Sequence, residues 1–294
     1  MLHSLQPVLR VLSPGLGLTL QDTGRHGFGR FGVPRSGAMD PHAFSWANRL
    51  LNNAPNAGAL EILLQGAALE FLTDTWIAVC GADLECSVSR WRTVRVTSGT
   101  HVEFTRNKSG IWAYLAVEGG FGSEAAEYFG SQSTYADAGL GKKFEPGDLL
   151  QRLDKTEHRL VLPPGVASRL VPWDEHRDYR FPPPLRVWPG PQWDFFTEQD
   201  RSRFFGNDWT TTSRSDRTGF RLAGPSIKSR ESQIISEAVL PGSVQIPGNG
   251  QPIVTMNDGP TVGGYPKLGL VDPADLGWLA QARPGTKVRF TPSN

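Results

Sequence analysis

From position 60 to 104 the chain runs in short apolar and β-branched stretches, each closed by Gly, Asp or Ser. The stretches 60–64, 69–72, 76–80, 84–88, 93–96 and 101–104 are rich in Val, Ile, Leu and Thr, and 111–117 adds another. Strands this short, punctuated this regularly, predict an antiparallel sheet or barrel. Helical signals are few. Asp40-Pro41 places an N-cap and a first-turn proline ahead of Ala43, Phe44, Ala47, Leu50 and Leu51, which share one helical face. Asp272-Pro273 does the same ahead of Leu276, Leu279 and Ala280, with Asp275 at the capping-box position. A shorter helix is predicted over 197–205. The expected fold class is mainly β with a few short helices.

The stretch 163–184 breaks this pattern. It carries Pro163-Pro164, Pro172 and Pro182-Pro183-Pro184 among charged residues and reads as a linker or strand-poor crossover. It separates two β-rich lobes, 1–175 and 176–294. The lobes echo each other weakly: Leu9-Arg10-Val11-Leu12-Ser13-Pro14-Gly15 resembles Leu185-Arg186-Val187-Trp188-Pro189-Gly190, and Gly99-Thr100-His101-Val102-Glu103-Phe104 resembles Gly285-Thr286-Lys287-Val288-Arg289-Phe290. Either ordinary strand-and-turn patterns recur, or the two domains have related architecture.

Composition narrows the function classes. The 294 residues are 38% hydrophobic and 20% charged, ample for sizeable cores. With 30 Lys plus Arg against 29 Asp plus Glu the net charge is +1, which lacks the basic excess a nucleic-acid partner requires. Thirty-three Gly and 23 Pro imply many turns, and nine Trp either fill cores or line a subunit interface. The two cysteines, Cys80 and Cys86, do not imply a disulfide, and so low a count fits a reducing cytoplasm. Arg10, Pro14 and Gly17 interrupt the start of the chain too early for a secretory signal, and no apolar run is long enough to span a membrane.

Several common chemistries lack their motifs. There is no G-x-x-x-x-G-K-[ST]; Gly139-Leu140-Gly141-Lys142-Lys143 lacks both the spacing and the hydroxyl and reads as a loop. No G-x-G-x-x-G follows a strand and opens a helix. There is no H-E-x-x-H, no G-x-S-x-G and no Met-Lys-Met carrier stretch, and the six His are scattered, so no metal site is expected. ATP or biotin, if either takes part, is expected on another chain or domain.

Three polar, glycine-rich segments remain. The first is Gln21-Asp22-Thr23-Gly24-Arg25-His26-Gly27, continuing through Gly32-Val33-Pro34-Arg35-Ser36-Gly37-Ala38-Met39-Asp40 to Asn48. The second is Ser215-Asp216-Arg217-Thr218-Gly219-Phe220-Arg221-Leu222. The third runs from Gly242-Ser243-Val244-Gln245-Ile246-Pro247 to Gly263-Gly264-Tyr265-Pro266-Lys267. With Leu60-Glu61, Gly81-Ala82, Gly130-Ser131-Gln132-Ser133-Thr134, Pro146-Gly147-Asp148, Gly190-Pro191-Gln192 and Leu279-Ala280-Gln281, they resemble, over nearly the whole chain, the biotin-dependent carboxyltransferase family. That family includes the C subunit of 5-oxoprolinase, the KipA regulators and the allophanate hydrolase subunit 2-like proteins. The resemblance implies a cyclophilin-like β-barrel architecture and a subunit role. The expected activity is ATP-dependent opening of 5-oxoproline to glutamate, with a KipI-like sister subunit and a lactam-utilisation subunit as partners. A KipA-like regulator without catalysis, or a biotin-dependent urea or amide carboxyltransferase subunit, are the alternatives. Gln132, the 139–144 loop and Asn257-Asp258-Gly259-Pro260 depart from the family's more usual residues.

These substrates present N–H beside C=O, so the chemistry needs a cation for developing negative charge and an acceptor for the N–H. The expectation is that glycine-rich turns from both lobes supply them. Lys267, after a Gly-Gly turn, is the first candidate cation; otherwise it is a solvated lysine at a strand start. Arg25 and Arg217 are the next, unless they only pair with Asp22 and Asp216. Asp40 is acceptor or base, or simply the helix cap. Asn48, a polar group on an apolar stripe, is a substrate contact or a satisfied structural amide. Glu61 lines the site or joins a buried ion pair. Tyr265, Gln245 and Asn257 complete the lining, and His26 and His42 are acid–base groups or surface residues.

Overall fold

The computed structural model describes residues 7–122, 127–153 and 160–293. It divides into two compact units: residues up to Arg25 with Ser36–Asp178, and His26–Arg35 with residues from Tyr179 onward.

The first unit contains β1 (Pro7–Pro14), β2 (Leu18–Gln21), α1 (Pro41–Leu50), β3 (Ala59–Leu63), β4 (Ala67–Phe71), β5 (Thr75–Asp83), β6 (Thr93–Val96), β7 (His101–Phe104), β8 (Ser109–Val117) and β9 (Leu149–Gln151). They build a four-stranded sheet in the order β7-β4-β1-β9 and a five-stranded sheet in the order β2-β3-β8-β5-β6. Leu9, Val11, Leu69, Phe71 and Phe104 of the first meet Leu18, Leu60, Ile62, Ile77, Val79 and Leu115 of the second in one core. Burial alternates along β4 and β7, as it must where one sheet face meets water. In β8 it barely alternates, because α1 covers the other face and Phe44 meets Tyr114 edge-on at 6.1 Å.

Asp40 caps α1 as expected, its carboxylate accepting from the His42 and Ala43 amides. The expected strand over 84–88 does not form. The β5–β8 register shifts at Gly81/Asp83, Glu85 takes a positive φ of 50°, and only Cys86 makes a single bridge, to Phe104. Both cysteines are free, and burial pushes the Cys86 thiol up to about 11. The described part of the proline-rich stretch is strand-poor but not loose. Arg169 donates its amide to Thr93 Oγ1 at 2.8 Å, and Val171 is buried.

The second unit contains β10 (Leu185–Pro189), α2 (Glu198–Phe205), β11 (Trp209–Thr211), β12 (Gly219–Ala223), β13 (Glu237–Ala238), β14 (Ser243–Gln245), β15 (Ile253–Thr255), β16 (Val262–Gly263), β17 (Lys267–Val271), α3 (Pro273–Ala280), β18 (Lys287–Val288) and β19 (Phe290–Pro292). Eight strands form one sheet in the order β18-β11-β12-β15-β14-β17-β10-β19. Its two end strands are joined in the chain by Arg289 alone, so the edges are drawn together into a nearly closed, barrel-like sheet. β13 and β16 pair separately. The echo between the halves is one of strand type and not of pairing. β10 lies directly beside β19 here, whereas β4 separates β1 from β7 in the first unit.

Thr197 caps α2 and Asp272 caps α3. Asp275 accepts from the Arg186 amide and guanidinium at 2.8–2.9 Å. Phe204 of α2 stacks on Phe290 at 4.8 Å and packs against Trp209, whose indole donates to the Phe204 carbonyl. Trp209 is wholly buried, whereas Trp173 and Trp188 are exposed. No helix among the described residues is long and apolar enough to cross a membrane. Phe204→Ala is expected to cost about 3–5 kcal/mol of stability by leaving a cavity among these rings, measurable by urea unfolding.

Candidate active site

In the first unit, two of the expected residues share one hydrogen-bonded network. Glu61 on β3 and Tyr114 on β8 lie opposite each other, and the Tyr114 hydroxyl donates to Glu61 Oε2 at 2.7 Å. The same oxygen accepts the Met39 amide at 2.9 Å, and the Asp40 amide donates to the Tyr114 hydroxyl at 2.8 Å. Asp40 also has Arg177 at 3.6 Å. Burial, and then the Glu61 charge, push the Tyr114 phenol well above its ordinary range, so it stays a neutral bridge. Asn48 lies elsewhere on α1. Its amide donates to the Ala57 carbonyl at 2.9 Å and accepts from Asn53 at 2.9 Å. These contacts are those of a satisfied structural amide.

Arg25 is buried and donates to the Ser133 carbonyl. Beside it Asp22 accepts from the Gly24 amide at 2.7 Å, the Ser131 hydroxyl at 2.6 Å and the Gln132 amide at 2.7 Å. The 21–25 and 131–133 segments, far apart in sequence, are thus one structure built on a carboxylate. His26 is exposed; His42 is half-buried, its ring against the Glu175 carbonyl at 2.8 Å, and burial lowers its pKa.

In the second unit Lys267 opens β17, as the sequence suggested, but its side chain is only 5% exposed. It is therefore not a solvated strand-start lysine. Its ammonium contacts Glu237 of β13, a carboxylate 40% exposed. Gln192 ties the two together, its Oε1 accepting the Lys267 amide at 3.1 Å and its Nε2 donating to Glu237 Oε1 at 2.9 Å. The Lys267 ammonium and the Gln192 amide hold the Glu237 carboxyl below the usual carboxylate range. Gln245 faces Lys267 across the β14–β17 pairing and donates to Thr255 at 2.8 Å. A Cβ on Gly263 would lie 3.0 Å from Gln245 Oε1, so the glycine lets β16 approach this cluster.

Arg217 pairs with Asp258 at 2.5 and 3.1 Å, while Asp216 accepts from the Thr218 and Gly219 amides of its own turn. Asn257, next to Asp258, is buried, and Tyr265 is 39% exposed. No group of three or more His, Cys, Asp or Glu suited to a metal occurs among the described residues.

Residues 31–292 match the family model of the carboxyltransferase domain, subdomain A and B. The chain belongs to this carboxyltransferase family. It is 35% identical to the C subunit of 5-oxoprolinase from Escherichia coli K12, over 96% of this chain and 90% of that protein. The fold also matches the crystal structure of TTHA0988 (TM-score 0.86, 32% identity, 98% of this chain) and that of Kluyveromyces lactis urea carboxylase (TM-score 0.88, 29% identity, 99% of this chain). It spans 57% of the first of those chains and 28% of the second.

In this carboxyltransferase chain the sequence signals missed Tyr114, Glu237 and Asp258. Tyr114 lies in an apolar strand and Glu237 in an aperiodic polar stretch, so neither gave a pattern. Asp258 stood in view within Asn257-Asp258-Gly259-Pro260, a buried acid two residues before a proline. Tyr114→Phe removes the bridging hydroxyl and leaves the Asp40 amide without it. It is expected to cost about 1–3 kcal/mol in urea unfolding.

Proposed function

We propose that this chain is the C component of a 5-oxoprolinase, acting with partner subunits in the ATP-dependent opening of 5-oxoproline to glutamate. The observation that carries this reading is the near end-to-end match to the Escherichia coli protein of that name, 96% of this chain against 90% of that one. A urea amidolyase of Lachancea kluyveri is also 30% identical, but only 17% of that protein corresponds to this chain.

Opening the lactam breaks its C–N bond while the carbonyl oxygen gains negative charge. A preorganised cation beside that oxygen lowers the barrier. Lys267 is the residue proposed for this role, since its ammonium is nearly buried and met by a carboxylate, with Gln192 holding its backbone. Gln245, Asn257, Tyr265 and Arg217 are proposed to line the substrate, with Arg217 held by Asp258. Asp40, Asn48 and Glu61 are read as the frame of the first unit, because their observed contacts account for their burial, and Arg25 is kept as a candidate substrate-binding cation of that unit. ATP is proposed to be handled with the partner subunits: a KipI-like sister and a lactam-utilisation protein. Biotin enters only if the chain serves a urea carboxylase instead.

The test is reconstitution. Mixing the purified chain with both partners is expected to give ATP-dependent glutamate formation from 5-oxoproline. Lys267→Ala should lower kcat by roughly 10²-fold or more without loss of fold, the scale of removing one oxyanion donor. Activity that needs a biotinylated carrier and is abolished by avidin would favour the urea carboxylase alternative. Tight partner binding with no turnover would favour a regulator.

A further inference from the structure

Lys267 belongs to the barrel-like sheet, but the carboxylate that meets it does not. Glu237 lies on β13, which pairs only with β16 in a separate two-stranded sheet. The lysine side chain is 5% exposed and the glutamate 40%, so the negative group reaches a nearly buried ammonium from the solvent side. Gln192 fixes both at once, holding the Lys267 backbone with its carbonyl oxygen and Glu237 with its amide nitrogen. The other groups set against Lys267 by the pairing of this unit are uncharged. Gln245 is opposite it in β14, and β16 carries Val262 and Gly263. On β10 the charged residue is Arg186, which is engaged by Asp272 and Asp275 at the far end of β17. In the 190–195 turn it is Asp194, which is solvent-facing and meets Arg201.

We propose that Glu237 is a positioning residue for Lys267, keeping the buried amine charged and directing its free N–H bonds at a neutral amide carbonyl. An ammonium has three donors. With one given to Glu237, two remain for a carbonyl oxygen, while the pair as a whole carries no net charge. A carboxylate arriving at such a pair gains little Coulomb energy, whereas a carbonyl that becomes negative only in the transition state still meets both donors. Glu237 thereby selects the lactam carbonyl over anionic groups. This rests on the reading of Lys267 given under Proposed function.

Removing the carboxylate takes away the anion beside a buried amine, and burial favours the neutral form. The charge state of Lys267 can be followed in the full chain, without partners, by NMR of ¹³Cε-labelled lysine, with Lys267→Arg assigning the resonance. In Glu237→Gln the titration midpoint is expected at least ~1 pH unit below that of the unaltered chain, roughly tenfold more neutral amine at a given pH. Glu237→Asp retains the charge on a shorter arm and should give a smaller shift in the same direction, which supplies the measurement if the glutamine variant folds poorly. In the reconstituted assembly the alkaline limb of kcat/KM should move to lower pH by the same interval. An unchanged midpoint in both variants overturns the proposal, as does a shifted midpoint with an unshifted alkaline limb in an active assembly. Inactivity of the unaltered assembly refutes the 5-oxoprolinase reading instead and leaves the NMR result to decide whether Glu237 controls Lys267.

Discussion

A charged amine withdrawn from water costs several kcal/mol unless an opposite charge and hydrogen bonds receive it. Lys267 imposes that requirement on the second unit. Its position at the start of β17 turns the side chain inward. The β13–β16 pair answers the charge through Glu237, while Gln192 of the 190–195 turn holds the Lys267 backbone amide and Gln245 of β14 lies opposite in the pairing. The small β13–β16 sheet lies outside the eight-stranded order. It carries the carboxylate that meets Lys267.

The first unit meets a related requirement, with carboxylates as the buried groups. Glu61 and Asp40 are both buried, and the Tyr114 phenol, kept protonated by its surroundings, donates to the Glu61 carboxylate and accepts from the Asp40 backbone amide. Such a network does its work by being satisfied. That is why residues of suitable chemical type can be read as framework here: the Asp40 carboxylate caps α1, and the Asn48 amide closes the 53–57 turn against the helix. A group whose hydrogen bonds are spent on its own backbone surroundings is poorly placed to leave them for a substrate.

What could be read from the chain follows from the range of the forces involved. Strands 93–96 and 101–104 were legible to the residue, as were both Asp-Pro helix starts, because local alternation and capping decide them. The 84–88 stretch looked no different in composition, but a register shift and the left-handed Glu85 end the pairing there, and neither is encoded in hydrophobicity. Lys267 was marked as a candidate by its Gly-Gly approach. Glu237 was not, since it stands 30 residues upstream in a polar run whose purpose appears only when β13 pairs with β16. Likewise Arg217 looked tied to the adjacent Asp216, yet that carboxylate closes its own turn and leaves the arginine to Asp258 across the fold.

On the proposed reading, the lysine alone does not distinguish a lactam from urea. Both present a neutral carbonyl beside an N–H, and a neutralised Lys–Glu pair offers the same donors to either. Discrimination then has to come from what the rest of the assembly supplies. A chain without a G-x-x-x-x-G-K-[ST] loop has no recognisable phosphate cradle of that kind, and one without a Met-Lys-Met segment has no recognisable carrier arm. In the urea enzymes the corresponding region is a minor fraction of a much longer chain, whereas the match to the 5-oxoprolinase component runs nearly end to end.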